Sequence, residues 1–167
     1  MRRALISAIA FLLAIAVALP VVAQPPGGQK NFRASLTGSN EIPEVDSNAA
    51  GVALFKLSES GDELAFKLNV ANLEDIVQAH IHCGSPDVNG PVVAFLFGPA
   101  SPTVTVNGTL SEGVITAADI IPLPDSPECP GGVADFDDLI EKMRTGDAYA
   151  NVHTIASPTG EVRGQIR

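Results

Sequence analysis

The chain has 167 residues, 46% hydrophobic but only 5% aromatic, and a formal net charge of −9. So acidic a composition argues against nucleic acid, whose phosphates require a basic surface, and against electrostatic docking on anionic lipid. The length suits one domain, with a core drawn from Val, Leu, Ile and Ala rather than from aromatic rings.

Residues 1–23 differ from everything after them. Arg2 and Arg3 form a short positive start, an apolar run follows from Ala4 to Leu19, and Pro20 breaks it. Val21-Val22-Ala23 then offers small residues where a signal peptidase reads, so cleavage is expected before Gln24. Ala4 to Ala23 is also just long enough to cross a bilayer, which makes a retained anchor the alternative. The alanine content, Pro20 and the small-residue ending favour the signal peptide. No Cys follows the run, so no lipoprotein attachment site is present, and no second apolar stretch exists. The mature protein is therefore expected to be secreted or periplasmic, with no membrane span. Two basic and no acidic residues leave with the leader, so the charge of −9 becomes −11. Such a charge keeps a domain soluble and names no partner.

Gln24 to Lys30 reads as a flexible Pro/Gly linker, and residues 31–167 as the folded domain. Short segments of alternating polarity follow, separated by Gly, Pro, Asn and Ser. Glu63 to Val70 is the clearest: Leu64, Phe66, Leu68 and Val70 share one face, and Glu63, Lys67 and Asn69 the other. Period two marks a half-buried strand. Gly51–Ser58 precedes it across the turn Glu59-Ser60-Gly61-Asp62. Further strands are expected at Phe32–Thr37, Val77–His82, Val92–Phe97, Thr103–Leu110, Ala148–Ile155 and Glu161–Arg167. Only Asp135 to Thr145 has helical spacing, with Phe136, Leu139, Ile140 and Met143 on one face. Asp135 suits the N-cap, Asp137 and Asp138 the positive end, Lys142 and Arg144 the negative end, and Gly146 the stop. The pattern implies an all-β, antiparallel β-sandwich or barrel with one short helix inserted late in the chain.

Cys83 and Cys129 are the only cysteines. In an oxidising compartment such a pair reads first as a disulfide, which would pin the Pro-rich excursion Pro122–Gly132; free or metal-bound thiols are the other option. The only three histidines fall on expected strands. Alternation sends Val77, Ala79 and Ile81 inward, so Gln78, His80 and His82 share the opposite face. In the late strand Ala150 and Val152 go inward while Tyr149, Asn151 and His153 go outward. Pairing Ile155 with Glu161 across the last hairpin sets His153 opposite Arg163 and Asn151 opposite Gln165.

Three imidazoles, two of them an H-x-H pair, suit an open site for Zn or Cu. Arg163 beside His153 would oppose a cation and favour an anion or carboxylate instead. The plainest alternative has the histidines bonded to neighbouring loops. Asp87-Val88-Asn89-Gly90 lacks the oxygen ligands of a calcium loop and reads as a turn. Asn107-Gly108-Thr109 is a glycosylation sequon that matters only in a host that uses it. There is no G-x-S-x-G, no phosphate-binding Gly-rich loop and no catalytic Cys–His pair, so no catalytic residue is assigned.

Read in order, Phe32-Arg33-Ala34-Ser35-Leu36-Thr37-Gly38 with Glu41-Ile42-Pro43, Ala49-Ala50-Gly51, Ala79-His80-Ile81-His82 with Gly90-Pro91-Val92-Val93, and Tyr149-Ala150-Asn151-Val152-His153-Thr154 with Gly160-Glu161-Val162-Arg163-Gly164-Gln165 resemble the chordin-type (CHRD) domain. The resemblance spans residues 31–167, and the cysteines and Pro-rich excursion look like its single-domain microbial form. It implies an all-β antiparallel sandwich, Ig-like or superoxide-dismutase-like in build. In animal chordins, with several such domains, the wider protein antagonises bone morphogenetic proteins outside the cell; a lone copy does not inherit that role. The H-x-H and the late G-x-x-R are also similar to copper/zinc superoxide dismutase, but three histidines are too few for its paired metals.

The function expected is that of an exported, non-enzymatic binding module. His80, His82, His153 and Arg163 form its polar site, Asn151 and Glu161 support it, and the partner is an extracellular protein or small ligand. A Zn or Cu protein using His80, His82 and His153 is the rival class. A purely structural extracellular domain is the third.

Overall fold

Period-two burial runs through β1 (Asn31–Thr37), where Phe32, Ala34 and Leu36 turn inward, and β2 (Ala50–Leu57), where Gly51, Ala53, Phe55 and Leu57 do so. The two pair antiparallel in register, Phe32 with Phe55 and Leu36 with Gly51. The computed structural model describes residues 28–167. The expected leader, and the linker as far as residue 27, lie outside the described residues.

β3 (Leu64–Cys83) organises the molecule. The sequence predicts two strands here, Glu63–Val70 and Val77–His82; the structure has one element of 20 residues. Its first half pairs with β2 and with β5 (Val104–Ile115), and its second half with β4 (Val92–Phe97) and β6 (Ala148–Thr154). Between the halves Asn72 and Asp75 adopt left-handed backbone, with φ of 59° and 50°. The β5 register jumps on either side of Leu73. Asn and Asp tolerate that conformation best among non-glycine residues. Such bulges bend a strand without ending it. Side chains of β5 hold the bend, Asn107 Oδ1 accepting from Asn72 N–H at 2.7 Å and Thr105 Oγ1 from Asp75 N–H at 3.0 Å. Asn and Asp in a polar interruption look like a loop to any pattern argument, which is why one strand reads as two.

The bend lets the sheet close. Strands β2, β1, β7 (Val162–Gln165), β6 and β3 follow one another by hydrogen bonding, and β3 returns to β2. The result is a five-stranded antiparallel barrel, with β4 and β5 added along the two halves of β3. Closure leaves none of the five barrel strands with a free edge along its whole length, while β4 and β5 each pair on one side only. The β1–β7 seam is tight: a Cβ built on Gly164 would stand 2.1 Å from the Ser35 carbonyl oxygen, so only glycine lets the strands meet. Leu68, Ile81, Ala150, Val152, Val162 and Ile166 are among the residues buried in the core. The all-β expectation, a barrel with one late helix, is therefore met.

That helix, α1 (Phe136–Thr145), lies against β6 and buries Phe136, Leu139, Ile140 and Met143. Asp135 caps it by accepting from Asp138 N–H at 3.1 Å, and Gly146 ends it in left-handed backbone. Cys83 and Cys129 form the expected disulfide, with Cα atoms 5.5 Å apart. It anchors the Pro-rich excursion at the end of β3, one residue beyond His82. Among the described residues no helix is long and apolar enough to cross a membrane.

The last hairpin differs from its expected register by two residues. Asn151 pairs with Arg163, Ala150 with Gly164 and Val152 with Val162. The turn is longer than pattern suggests because Thr154 leaves the β7 ladder. Its hydroxyl accepts from Ser157 N–H at 3.1 Å and donates to Glu161 at 2.6 Å. A shift of two keeps every side chain on its face, so alternation alone cannot detect it.

Candidate functional site

The polar face predicted for β3 and β6 exists, but it does not face solvent. His80, His82, Asn151, His153 and Arg163 are between 2% and 7% exposed. Loop residues cover them, chiefly Pro86–Gly90 and the turn at Pro158, with Phe95 of β4 edge-on to His80 at 4.6 Å.

His80 stands opposite Asn151 across the β3–β6 ladder, His82 opposite Tyr149, and Gln78 opposite His153. This register draws the three imidazoles together, with one ring nitrogen from each within 4.8 Å of the others. His80 Nδ1 lies 3.2 Å from His153 Nε2. Asn151 Oδ1 lies 3.0 Å from both His82 Nε2 and His153 Nε2.

The far side of two rings is fixed by backbone. His82 Nδ1 donates to the Gly90 carbonyl at 2.8 Å, and His153 Nδ1 donates to the Pro158 carbonyl at 2.9 Å. A neutral imidazole carries one N–H, so both rings keep a lone pair on Nε2. Burial enforces neutrality. It is the main cause depressing His80 from 6.5 to about 3, helped by the charges of His153 and His82. Burial likewise takes His82 down to about 4, and His153 is lowered for the same reason.

Gly90 reaches His82 only because it is glycine, since a Cβ there would stand 1.6 Å from the Cys83 carbonyl oxygen. Tyr149 holds it in place, its hydroxyl accepting from Gly90 N–H at 3.1 Å while its ring stacks on His82 at 4.8 Å.

Arg163 shares the face but turns away from the imidazoles. Its guanidinium donates to Asn89 Oδ1 at 2.9 Å and to the Pro86 carbonyl at 2.6 Å, and lies 4.1 Å above the Tyr149 ring. It is committed to the covering loop. Asn89 completes that brace by donating to the Ile42 carbonyl at 2.7 Å, which gives the Asp87–Gly90 turn a structural task. Glu161 is also engaged elsewhere, accepting from Ser47 Oγ at 2.7 Å and from Thr154 Oγ1 at 2.6 Å. Glu41 is buried beside Gly160 with Oε1 unpartnered, and burial pushes its carboxyl up to about 7 against the pull of Arg163. A cleft of about 540 Å³ lies among Glu41, Ile42, Pro86, Asp87 and Arg163, and no histidine lines it.

The sequence model of the CHRD domain matches residues 32–166, nearly all of the described fold. The chain belongs to the CHRD domain family. No curated protein and no solved structure matches it. The CHRD domain is in general an interaction module of extracellular type, and the Cys83–Cys129 disulfide fits an oxidising compartment.

Within this CHRD domain, sequence reasoning singled out the histidines and Asn151 but not Gly90, Tyr149, Pro158 or Asn89. Tyr149 was legible on the same face by alternation. The Gly90 and Pro158 carbonyls are main chain and leave no side-chain signature.

Proposed function

We propose that this CHRD domain is an extracytoplasmic binding module for a divalent transition metal, held by His80, His82 and His153. The observation that carries it is the pair of backbone-anchored rings whose free nitrogens converge on Asn151 Oδ1, with one nitrogen of each of the three histidines within 4.8 Å of the others. A metal-ligating histidine characteristically donates its other N–H to a carbonyl or carboxylate, which fixes the tautomer and the ring. His82 and His153 both do so. Apolar burial keeps the rings unprotonated, the form a metal needs.

Imidazole-rich sets suit Zn and Cu, with Cu(II) favoured by intrinsic affinity. Ligand atoms on a tetrahedral ion with bonds of about 2.0–2.1 Å stand roughly 3.3 Å apart. The 3.2 Å between His80 and His153 fits that spacing. The widest nitrogen pair is within 4.8 Å, so binding would draw the rings inward by at most about 1.5 Å. An anion among the imidazoles has less support, because the Arg163 guanidinium turns from them to bond Asn89 and the Pro86 carbonyl.

Calorimetric titration of the purified, untagged protein with Zn(II) and with Cu(II) tests this. One ion per chain is expected, with binding lost in a His80→Ala, His82→Ala variant. A wild-type protein that takes up neither ion above the variant's background sinks the metal reading. The histidines would then be fold-stabilising groups, and the search would move to extracellular partners.

A further inference from the structure

We infer that Asn151 supplies a fourth, oxygen ligand, making the centre a closed site of three nitrogens and one oxygen with no position left for a substrate. The inference rests on the three-histidine reading above and adds what the centre is for: holding an ion rather than using it.

A count of hydrogens carries it. His82 faces an acceptor at each nitrogen, the Gly90 carbonyl at 2.8 Å and Asn151 Oδ1 at 3.0 Å. His153 is placed the same way, between the Pro158 carbonyl at 2.9 Å and the same Asn151 oxygen at 3.0 Å. Four such contacts need four donors, and two neutral rings provide two. The shortfall is two donors at one point, where two Nε2 lone pairs face a carbonyl oxygen and His80 Nδ1 lies 3.2 Å from one of them. A divalent cation there would take the lone pairs and the oxygen as ligands in place of the missing hydrogens. The spacings agree, because 3.0 Å is close to the roughly 3.3 Å between ligands of a tetrahedral ion.

Asn151 is itself 2% exposed and sits at the centre of the face, between His80 of β3 and Arg163 of β7. A structural site has all positions filled by protein, whereas a catalytic one keeps a position open. The competing arrangement turns the amide end for end, so that Nδ2 donates to both Nε2 atoms with no metal involved.

Cobalt(II) serves as the probe, with azide as the reporter of an open position. The wild-type protein should bind one Co(II) and show a four-coordinate absorption spectrum that azide does not change. Asn151→Ala should bind roughly 10- to 100-fold more weakly and respond to azide, a loss on the scale of a disturbed metal shell. Asn151→Asp should keep binding and stay silent to azide, since a carboxylate oxygen replaces the amide oxygen.

The inference is overturned if wild type responds to azide, or if Asn151→Ala leaves affinity and spectrum unchanged. It is also overturned if Asn151→Asp abolishes binding while Asn151→Ala keeps it, which is the signature of a donating amide. In all three cases the histidine centre itself stands. No Co(II) uptake by wild type, with Zn(II) and Cu(II) equally inert, removes both proposals.

Discussion

His82 shows how much of the site depends on atoms that are not its own. Its ring is placed by stacking on Tyr149, and its tautomer by the Gly90 carbonyl. Gly90→Ala pushes a methyl group into the Cys83 carbonyl and must move the loop. The proposed centre should then lose affinity by roughly 10- to 100-fold, the usual effect of losing a second-shell partner. A competitive chelator titration reads this directly. Glu161→Gln is the control: its hydrogen bonds to Thr154 and Ser47 brace two loops but touch no histidine. Losing one of those charge-assisted bonds should lower stability by about 1.5–3 kcal/mol while leaving metal affinity unchanged. If Glu161→Gln weakens metal binding as much as Gly90→Ala, position in the covering loops matters and ring anchoring does not.

Among the elements, β3 carries most of the architecture. Its second half brings His80 and His82 to β6 and ends at Cys83, where the disulfide fixes the excursion through Cys129. Opening that bond frees a loop of 46 residues. On the chain-entropy model reduction lowers stability by about 4 kcal/mol, which urea unfolding with and without reductant measures. Reduced protein that unfolds at the oxidised midpoint would show the excursion to be held by other contacts.

β3 also marks the limit of what alternation can disclose. The strands, their faces and α1 with both its caps were legible, because apolar spacing and capping chemistry are local. The joining of two strands through Asn72 and Asp75 was not, because a bulge spells itself in loop residues. The hairpin register escaped for a different reason: a shift of two preserves every face. Alternation likewise put His80, His82, Asn151 and His153 on one side. It did not say that loops would bury that side, since the covering contacts come from Gly90 and Pro158, distant or main-chain partners with no pattern of their own.

For the whole molecule, buried titratable groups set the pH dependence of the metal-free state. An unfolded histidine titrates near 6.5, whereas folded His80 and His82 wait until about 3 and about 4, with His153 shifted the same way. Below 6.5 the unfolded chain therefore binds protons that the folded chain refuses, and stability falls as acid is added. Glu41 has the opposite sign. Its folded carboxyl holds a proton up to about 7 and its unfolded one only to 4.5, so its contribution is complete below 4.5 and lost as pH rises through 7. Three rings outweigh one carboxyl across the shared range. Thermal stability in the presence of chelator should thus rise steeply from pH 4 to about 6.5 and level off between there and pH 7.5. Glu41→Gln should steepen the rise between pH 4.5 and 7, where its carboxyl opposes the rings, and leave the curve above 7 unchanged. Adding metal should raise the whole curve, by about 2.7 kcal/mol at one hundred times Kd, and steepen its acid limb, because protons and the ion compete for the same nitrogens. A chelated protein equally stable at pH 4.5 and 6.5 would mean that the histidines take up protons freely in the folded state, and so that the face is open to water. Neither the burial of the rings nor a closed centre behind Asn151 would survive that result.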